Sequence, residues 1–389
     1  MNNFHFTALP PLSLYIHIPW CVRKCPYCDF NSHAVREEVP ESDYVDALLN
    51  DLEQELPHIW GRTVETIFIG GGTPSLFSAQ AIDRLLSGIR ARLPLKPDLE
   101  ITLEANPGTV EQSKFEGFRA AGINRLSIGI QSFDNQQLQT LGRIHSSEEA
   151  HKAIDCAQRA GFDNLNIDLM FGLPGQSLDE ALSDLQTAIN KQPSHISWYQ
   201  LTIEPNTLFH SQPPELPDHD TKTDMSSQGK SLLEKHGYTQ YEVSAYSQAG
   251  KQCRHNLNYW RFADYVGIGA GAHGKITDAA KQRITRTLKP KQPRDYLNFA
   301  GSPVATENLT VLQPEEAVFE FALNHFRLQE SFKISEFTIS TGLPYTAIAD
   351  HIESAISHGL LTMDNHKIKH TEQGWLFLDD LIARFLPEG

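Results

Sequence analysis

The residues of this chain with the most distinctive chemistry are three cysteines in one short segment. Cys21, Cys25 and Cys28 stand in the run YIHIPWCVRKCPYCDF, directly after the apolar, strand-like segment 14–18. With three and then two residues between them, the cysteines can direct three sulfur atoms to a common point from a single loop. A 4Fe-4S cluster normally takes four cysteine ligands, so a loop that offers three leaves one iron open to bind a small molecule.

A zinc site and a disulfide are the alternatives to a cluster. Zinc sites usually have a fourth protein ligand close by, often in a second Cys-x-x-Cys or a His pair. The other two cysteines, Cys156 and Cys253, are distant in sequence, and five cysteines are too few and too odd in number for a disulfide scaffold. The spacing therefore favours an iron–sulfur cluster. Because such a cluster is sensitive to oxygen, we expect the protein in the reducing cytoplasm.

Composition and charge restrict the class of protein. A chain of 389 residues that is 40% hydrophobic can bury a large core, and its length suggests two domains or one large barrel with an appendage. The net charge of -15 argues against electrostatic binding of nucleic acid over a broad surface. The chain has no long apolar run and no N-terminal signal pattern, so we expect a cytoplasmic protein without a transmembrane segment.

Strand-like and helix-like segments alternate through residue 203. Six βα units in series imply a parallel sheet with helices outside it. Because eight units are needed for a closed barrel of this type, we predict an α/β fold with an open (β/α)6 core, a three-quarter TIM barrel. The candidate strands are 14–18, 66–70, 100–104, 125–131, 164–171 and 195–203, and the candidate helices are 43–56, 78–92, 110–121, 147–160 and 177–191.

Unusual polar and glycine residues stand at the ends of these strands. The second strand runs into the glycine-rich segment 70–73, the third ends at Glu104, the fourth ends at Gln131, and Asp168 lies on the fifth. Functional groups of parallel βα folds gather at the carboxyl ends of the strands. Glycines let a ligand approach the backbone closely, although a glycine run is also typical of a simple turn. Polar side chains at such places also bond local backbone.

These motifs closely resemble the coproporphyrinogen oxidase-like branch of the radical S-adenosylmethionine (SAM) superfamily, from Tyr15 almost to the C-terminus. The resemblance implies that the three cysteines bind a 4Fe-4S cluster and that the open iron binds the amino and carboxylate groups of SAM. It further implies that an electron, from a donor that the sequence does not identify, cleaves SAM to methionine and a 5'-deoxyadenosyl radical. The residues that it assigns to the SAM site are Tyr15, Tyr27, Gly71, Gly72, Thr73, Glu104, Gln131, Arg143 and Asp168.

This branch contains an oxygen-independent coproporphyrinogen III oxidase and the HemW-type heme chaperones. The oxidase has a further cysteine two positions after the motif, where this chain has Phe30, and a longer N-terminal extension. The run HNLNYW over residues 255–260 matches the HNxxYW motif of the chaperones, which is proposed to take part in heme binding. The resemblance thus implies His255 as a heme ligand, with Cys253 as a rival, although a histidine beside aromatic residues is also common in a packed core.

The resemblance implies a heme chaperone built on an enzyme scaffold. Such a protein binds a cluster, SAM and heme, and passes the heme to client hemoproteins, including membrane-bound respiratory enzymes. The main alternative is the oxidase that decarboxylates coproporphyrinogen III. A radical enzyme with an unrelated substrate is a third reading, and the sequence leaves open whether SAM is cleaved.

The pattern changes near residue 302. Helices are predicted at 314–328, 333–341 and 344–358, followed by a hairpin of 359–363 with 367–370 and a last helix at 372–386, which together indicate a winged-helix-like α+β domain. Residues 302–389 contain 13 Asp and Glu but only 5 Lys and Arg, which makes this region acidic. We therefore expect a lid or a protein-contact domain rather than a DNA-binding domain. The expected domains are a core over 1–205, an accessory segment over 206–301 that completes the cavity with the HNxxYW motif, and the C-terminal domain over 302–389.

Overall fold

The computed structural model describes residues 3–35, 38–109, 111–302, 305–306 and 308–387. Among these residues the strands are β1 (Leu12–Ile18), β2 (Trp20–Cys21), β3 (His33–Ala34), β4 (Val64–Gly71), β5 (Leu95–Ala105), β6 (Arg125–Gln131), β7 (Leu165–Phe171), β8 (His195–Gln200), β9 (Thr239–Glu242), β10 (Ala245–Ser247), β11 (Asp264–Ile268), β12 (His273–Asp278), β13 (Arg283–Leu288), β14 (Asn308–Val311), β15 (Phe332–Lys333), β16 (Leu361–Asp364) and β17 (Lys367–His370).

The helices lie between and after these strands. They are α1 (Glu41–Glu55), α2 (Ala79–Arg92), α3 (Gln112–Ala121), α4 (Asn135–Thr140), α5 (Ser147–Arg159), α6 (Leu178–Asn190), α7 (Leu208–Ser211), α8 (His219–Lys235), α9 (Arg254–Trp260), α10 (Pro293–Phe299), α11 (Pro314–His325), α12 (Ile334–Thr341), α13 (Ala349–Ser357), α14 (Glu372–Leu376) and α15 (Leu378–Ala383). No helix of the described ranges combines the length and the apolar character that crossing a membrane requires.

Six parallel strands form the centre of the main sheet, in the chain order β1, β4, β5, β6, β7, β8. The strand residues Leu14, Ile16, Ile67, Ile69 and Ile128 are fully buried, as expected for strands covered on both faces. The sheet continues in antiparallel strands at both ends and, over the described residues, does not close. The predicted open (β/α)6 core is therefore confirmed.

Strand β11 is a seventh parallel strand that the sequence did not reveal. It pairs with β1, and β12, β13 and β14 extend the sheet beyond it in antiparallel order. At the opposite end β10 and β9 add to β8. The pattern of β11 is hidden because the strand ends directly in the glycine-rich segment 267–274, where Gly269 and Gly271 have left-handed backbones.

Helix boundaries follow from local capping chemistry. The side chains of Ser146 and Ser177 accept hydrogen bonds from the backbone of Glu149 and Glu180, and both glutamates bond back to the capping residues. These capping boxes explain why α5 and α6 begin at the predicted positions. Helix α3 begins at Gln112, and the predicted start at residue 110 lies outside the described residues.

The C-terminal region has the predicted three helices and hairpin, with its own apolar core around Phe321, Phe332 and Phe337. Two details of the prediction were wrong. The third helix starts at Ala349, after a separate 3₁₀ turn over Tyr345–Ala347, and the last helix is broken into α14 and α15. The break occurs because Phe377 has a non-helical backbone, with φ of -108° and ψ of 46°.

A buried ionic cluster fixes the accessory segment to α1. The Lys289 ammonium lies 2.6 Å from Asp51 Oδ1 and 2.7 Å from Glu55 Oε1, and its side chain is 1% exposed. The Tyr296 hydroxyl donates to Asp51 Oδ2 over 2.8 Å. One ammonium is thus shared by two carboxylates, and burial raises the pKa of Asp51, so removing the lysine leaves both carboxylates buried without a cation.

We expect Lys289→Met to lower the free energy of unfolding by about 3 to 5 kcal/mol, because it leaves two buried carboxylates without their cation. Chemical denaturation measures this change. The matched control is Lys230→Met, since Lys230 and Glu234 form an exposed pair at 3.9 Å; its loss is expected to cost about 0 to 1 kcal/mol. Equal losses in the two variants would contradict a structural role for the buried cluster.

Candidate functional site

A cavity of about 450 Å³ opens at the carboxyl ends of the parallel strands. The carboxyl ends of neighbouring parallel strands meet at one edge of a sheet, and the predicted polar residues follow those ends. All the residues predicted to hold the cluster and SAM, except Tyr15, line this cavity: Cys21, Cys25, Cys28, Tyr27, Gly71, Gly72, Thr73, Glu104, Gln131, Arg143 and Asp168. His255 is also outside the lining.

The three cysteines lie on a loop that begins at β2. The backbone of Val35 donates to Cys21 O over 2.8 Å, and Cys28 N donates to Cys25 O over 3.2 Å, so both ends of the loop are fixed. Burial raises the pKa of the Cys21 and Cys28 thiols. Since metals bind thiolates, filling this site releases protons.

The arrangement of side chains disfavours a site for one zinc ion. In the parts of the chain that the structure describes, no three His, Cys, Asp or Glu side chains converge on one point as a single metal ion requires. In a 4Fe-4S cubane each cysteine binds a different iron, so three thiols that share a cavity without converging suit a cluster better.

The glycine run brings backbone against the cysteine loop. A Cβ added at Gly72 would lie 2.6 Å from Trp20 O and 3.0 Å from Cys21 Sγ. Gly71 has a φ of +115°, which side chains rarely adopt, and a Cβ there would lie 2.7 Å from the His17 ring. Glycine is therefore required at both positions by close approach.

Tyr15 does not line the cavity and lies behind the glycine run, next to His17. His17 Nε2 lies 2.8 Å from Asn31 O, and because a carbonyl only accepts, this nitrogen carries the proton. Burial lowers the pKa of His17, so the ring is neutral and its Nδ1 accepts from the Tyr15 hydroxyl over 2.9 Å. Tyr15 therefore supports the ring under Gly71 from outside the cavity wall.

Two partly buried carboxyl groups stand in the cavity wall. Glu104 Oε2 accepts from Gly71 N over 3.0 Å, and burial, together with the charge of Asp168, raises the pKa of Glu104 to about 8. Asp168 accepts from Ser127 Oγ over 3.0 Å and from Asn166 Nδ2 over 2.8 Å, and burial raises its pKa as well. A cationic ligand would be favoured here, because it stabilises the charged form of both groups.

Arg143 supplies the cation of the site. Its Nη2 donates to Gly129 O over 2.7 Å, and its Nη1 lies 3.6 Å from Cys25 Sγ. Its Nε is buried and has no hydrogen-bond partner. The side chain lines the cavity, so Arg143 is not a cation of the solvated surface.

Gln131 and Tyr27 complete the predicted set. Gln131 has a left-handed backbone, with φ of 71°, and its Oε1 accepts from the Tyr199 hydroxyl over 2.7 Å. The Tyr27 ring lies 6.4 Å from the ring of Phe209. A non-glycine residue with positive φ at the end of a strand is typical of functional sites.

Several cavity residues were missed in the sequence. Ser197 and Tyr199 on β8 line the cavity, and their alternate spacing near the end of a predicted strand was a usable signal. Arg327 carried no signal, because it follows α11 of the C-terminal region and reaches the cavity only through tertiary packing. Its guanidinium carbon lies 4.4 Å from the centre of the Trp260 ring, a cation–π contact at the cavity.

The HNLNYW segment forms helix α9, and its residues divide between two environments. Asn256 and Trp260 line the cavity. His255 is 8% exposed, its ring lies 5.1 Å from that of Phe68, and its Nδ1 is 2.9 Å from Thr66 Oγ1. Burial lowers the pKa of His255 to about 3, so the imidazole is neutral. Cys253 is fully buried, and the structure places both rival heme ligands beneath the cavity wall.

Family models match two parts of the chain. Residues 15–188 match the model of the radical SAM superfamily, which covers the cysteine loop and the parallel strands through β7. Residues 312–377 match the HemN C-terminal domain, which covers the C-terminal helices and the hairpin.

Curated relatives match nearly the whole chain. "Heme chaperone HemW" of Escherichia coli (strain K12) is 54% identical over 380 residues, with 98% of this chain and 99% of the relative covered. The protein of the same name from Bacillus subtilis (strain 168) is 34% identical, with 97% and 99% covered. The mouse "Radical S-adenosyl methionine domain-containing protein 1, mitochondrial" is 33% identical, with 97% and 87% covered.

A solved structure has the same fold. The coproporphyrinogen III oxidase HemN of Escherichia coli, described as a radical SAM enzyme, superposes with a TM-score of 0.81 over 97% of this chain and 90% of its own, at 23% identity. At that identity the likeness concerns the fold alone. The identity to the curated relatives over nearly full length decides the family: this chain belongs to the HemW family of heme chaperones within the radical SAM superfamily.

Proposed function

We propose that this protein is a cytoplasmic heme chaperone that holds a 4Fe-4S cluster and SAM, binds heme and delivers it to client hemoproteins, among them respiratory enzymes at the membrane. The observation that carries the proposal is the placement of three thiols and eight predicted SAM residues around one cavity, in a chain 54% identical to a relative named as a heme chaperone.

The donor set of the cavity fits a cluster. Cys21, Cys25 and Cys28 offer three thiols, and Gly72 leaves the space beside Cys21 that any side chain would fill. When bound, a cluster with three protein ligands supplies one open iron and a transferable electron. The protein provides the thiolates and the nearby guanidinium of Arg143.

The polar residues of the cavity fit SAM. Glu104 is proposed to accept a hydrogen bond from the amino group of the methionine part, and Arg143 to pair with its carboxylate. Asp168 and Gln131, on neighbouring strands, are proposed to accept hydrogen bonds from the ribose hydroxyls. Binding of a cation lowers the pKa of Glu104, so SAM binding releases a proton near neutral pH.

Replacing any one of Cys21, Cys25 or Cys28 by Ser is expected to abolish the cluster, because a hydroxyl is a poor substitute for a thiolate ligand. Iron and sulfide are to be measured after anaerobic reconstitution, with about four irons per chain expected for the wild type. The matched control is Cys156→Ser, since Cys156 is buried on α5 and does not line the cavity. Loss of iron in the control alone would refute this ligand set.

The raised pKa of Glu104 predicts a pH dependence of stability. Between its ordinary value of 4.5 and about 8, the folded chain holds a proton on Glu104 that the unfolded chain has released. Stability of the cofactor-free protein therefore falls as pH rises through this window. Glu104→Gln is expected to remove part of that fall, so its melting temperature exceeds that of the wild type most at pH near 8.

The same variant tests the SAM site. Without the carboxylate, SAM binding is expected to weaken by about 10- to 100-fold, the cost of one charged hydrogen bond. Calorimetry on the reconstituted protein gives the affinity. Glu353→Gln serves as control, because Glu353 is exposed on α13; it is expected to change neither the melting temperature nor the affinity. An unchanged affinity in Glu104→Gln would contradict the assigned role.

The chaperone and oxidase functions are separated by two assays on the reconstituted protein. The chaperone function predicts that hemin binds and then moves to an apo-hemoprotein, which is followed by absorbance. The oxidase function predicts multiple turnovers of coproporphyrinogen III with reductant and SAM. Phe30 lines the cavity, is 59% exposed, and stands where the oxidase has its further cysteine. Because that cysteine is missing here, Phe30 favours the chaperone function over the oxidase function. Sustained turnover without heme transfer would overturn the proposal.

A further inference from the structure

A chain of buried hydrogen bonds connects Asp168, which is proposed above to bind the ribose of SAM, with the start of helix α9. Its members are Asn166 on β7, His195 on β8 and Tyr241 on β9, and none of the three lines the cavity. They are 2%, 1% and 7% exposed, respectively. Burying polar groups costs free energy unless their hydrogen bonds are made, and these three side chains make theirs with one another and with their neighbours inside the protein.

The side chain of Asn166 holds both oxygen atoms of Asp168. Asn166 Nδ2 donates to Asp168 Oδ1 over 2.8 Å and to Ser127 Oγ over 2.8 Å. Since the second bond occupies a lone pair of the Ser127 hydroxyl, that hydroxyl donates its own proton to Asp168 Oδ2, 3.0 Å away. The orientation of one amide group therefore sets the hydrogen bonds of both carboxylate oxygens.

His195 fixes the orientation of that amide group. Its Nδ1 lies 2.6 Å from Asn166 Oδ1, and because a carbonyl oxygen only accepts, Nδ1 carries the proton. Burial, together with the charge of Arg125, lowers the pKa of His195, so the ring is neutral and its Nε2 is an acceptor. Turning the amide over would set its NH2 group against the proton on Nδ1 and would remove its bond to Asp168.

Tyr241 fixes the histidine in turn. Its hydroxyl lies 2.8 Å from His195 Nε2 and donates to it, since that nitrogen carries no proton. The same hydroxyl accepts from the backbone N–H of Cys253, the residue that precedes α9, over 3.2 Å. The rings of Tyr241 and His195 meet edge-on, with centroids 5.5 Å apart. Donors and acceptors therefore have one consistent arrangement from the start of α9 to Asp168.

We propose that His195 and Tyr241 are positioning residues of the SAM site. Through Asn166 they hold the Asp168 carboxylate in the orientation that accepts hydrogen bonds from the ribose hydroxyls of SAM. The proposal rests on the role in SAM binding proposed above for Asp168 and deepens it. A carboxylate oxygen accepts more than one hydrogen bond, so both oxygens keep lone pairs for a ligand. Because their directions are fixed in advance, a ribose meets acceptors that need no rearrangement.

The test compares SAM with an analogue that lacks both ribose hydroxyls, by calorimetry on the full-length, cluster-loaded protein. The wild type is expected to bind SAM more tightly than the analogue. His195→Leu is expected to weaken SAM binding by about 3- to 10-fold, the effect of one hydrogen bond, and to leave the affinity for the analogue unchanged. A general disturbance of the cavity would weaken both ligands equally, so the comparison isolates the contact to the ribose.

Two further variants separate hydrogen bonding from packing. In His195→Asn the amide nitrogen takes the place of Nδ1 as the donor to Asn166, so the affinity for SAM is expected to lie between those of His195→Leu and the wild type. Tyr241→Phe keeps the ring but removes the donor to His195 Nε2. It is expected to weaken SAM binding less than His195→Leu does and again to spare the analogue.

The matched controls are His370→Leu and Tyr238→Phe. His370 is 7% exposed, and its Nε2 donates to Leu328 O over 3.1 Å. Tyr238 is 3% exposed, and its hydroxyl donates to Pro193 O over 2.6 Å. Both side chains are buried and hydrogen-bonded, but they lie outside the cavity lining and outside the chain of bonds to Asp168. The controls are expected to bind SAM and the analogue as the wild type does.

Melting temperature reports whether each variant folds, and Tyr241→Phe decides the test if His195→Leu does not. Wild-type affinity for SAM in the folded variants overturns the proposal, and so does an equal loss of affinity for SAM and the analogue. A wild type that binds the two ligands equally refutes the ribose contact assigned to Asp168, and a wild type that binds no SAM refutes the proposed function itself. Both of these results concern the unmutated protein, so they are distinguishable from a failure of the positioning role.

Discussion

The site depends on the contact between the cysteine loop and the glycine run. Gly72 N donates to Ile18 O, and Thr73 N donates to Trp20 O, both over 2.7 Å, so two backbone segments lie against each other without intervening side chains. A Cβ at Gly72 would meet both Trp20 O and Cys21 Sγ. The position of the first cysteine relative to the sheet is therefore set by backbone geometry, and the remaining groups of the cavity are placed by strands of the same sheet.

Burial is the main electrostatic influence on this site. It raises the pKa values of Glu104, Asp168 and two of the cysteine thiols, so the empty site holds protons that its ligands displace. A positively charged ligand therefore meets a site that becomes more negative as it binds. Elsewhere in the fold, the buried ammonium of Lys289 pairs with Asp51 and Glu55.

The parallel core was predictable because its strands are buried on both faces and appear as continuous apolar runs, separated by helices with recognisable caps. The polar residues of the cavity were predictable for the same reason, since they follow those strands. Strands β11 to β14 were not, because each has only four to six residues and β11 runs directly into a glycine-rich segment. Arg327 was beyond prediction, since its surroundings arise from the packing of the C-terminal region on α9, which local sequence does not encode.

The C-terminal helices are joined to the barrel by more than the chain connection. Phe6 packs into their apolar core, and His5 N donates to Gly342 O over 2.7 Å. Strand β14 pairs with β13 in the main sheet, and Gln329 N donates to Tyr241 O over 2.9 Å beside β9. With attachments at both ends of the sheet, these helices cannot swing away as a rigid flap. Any opening beside α9 must instead come from small adjustments of side chains and helix ends.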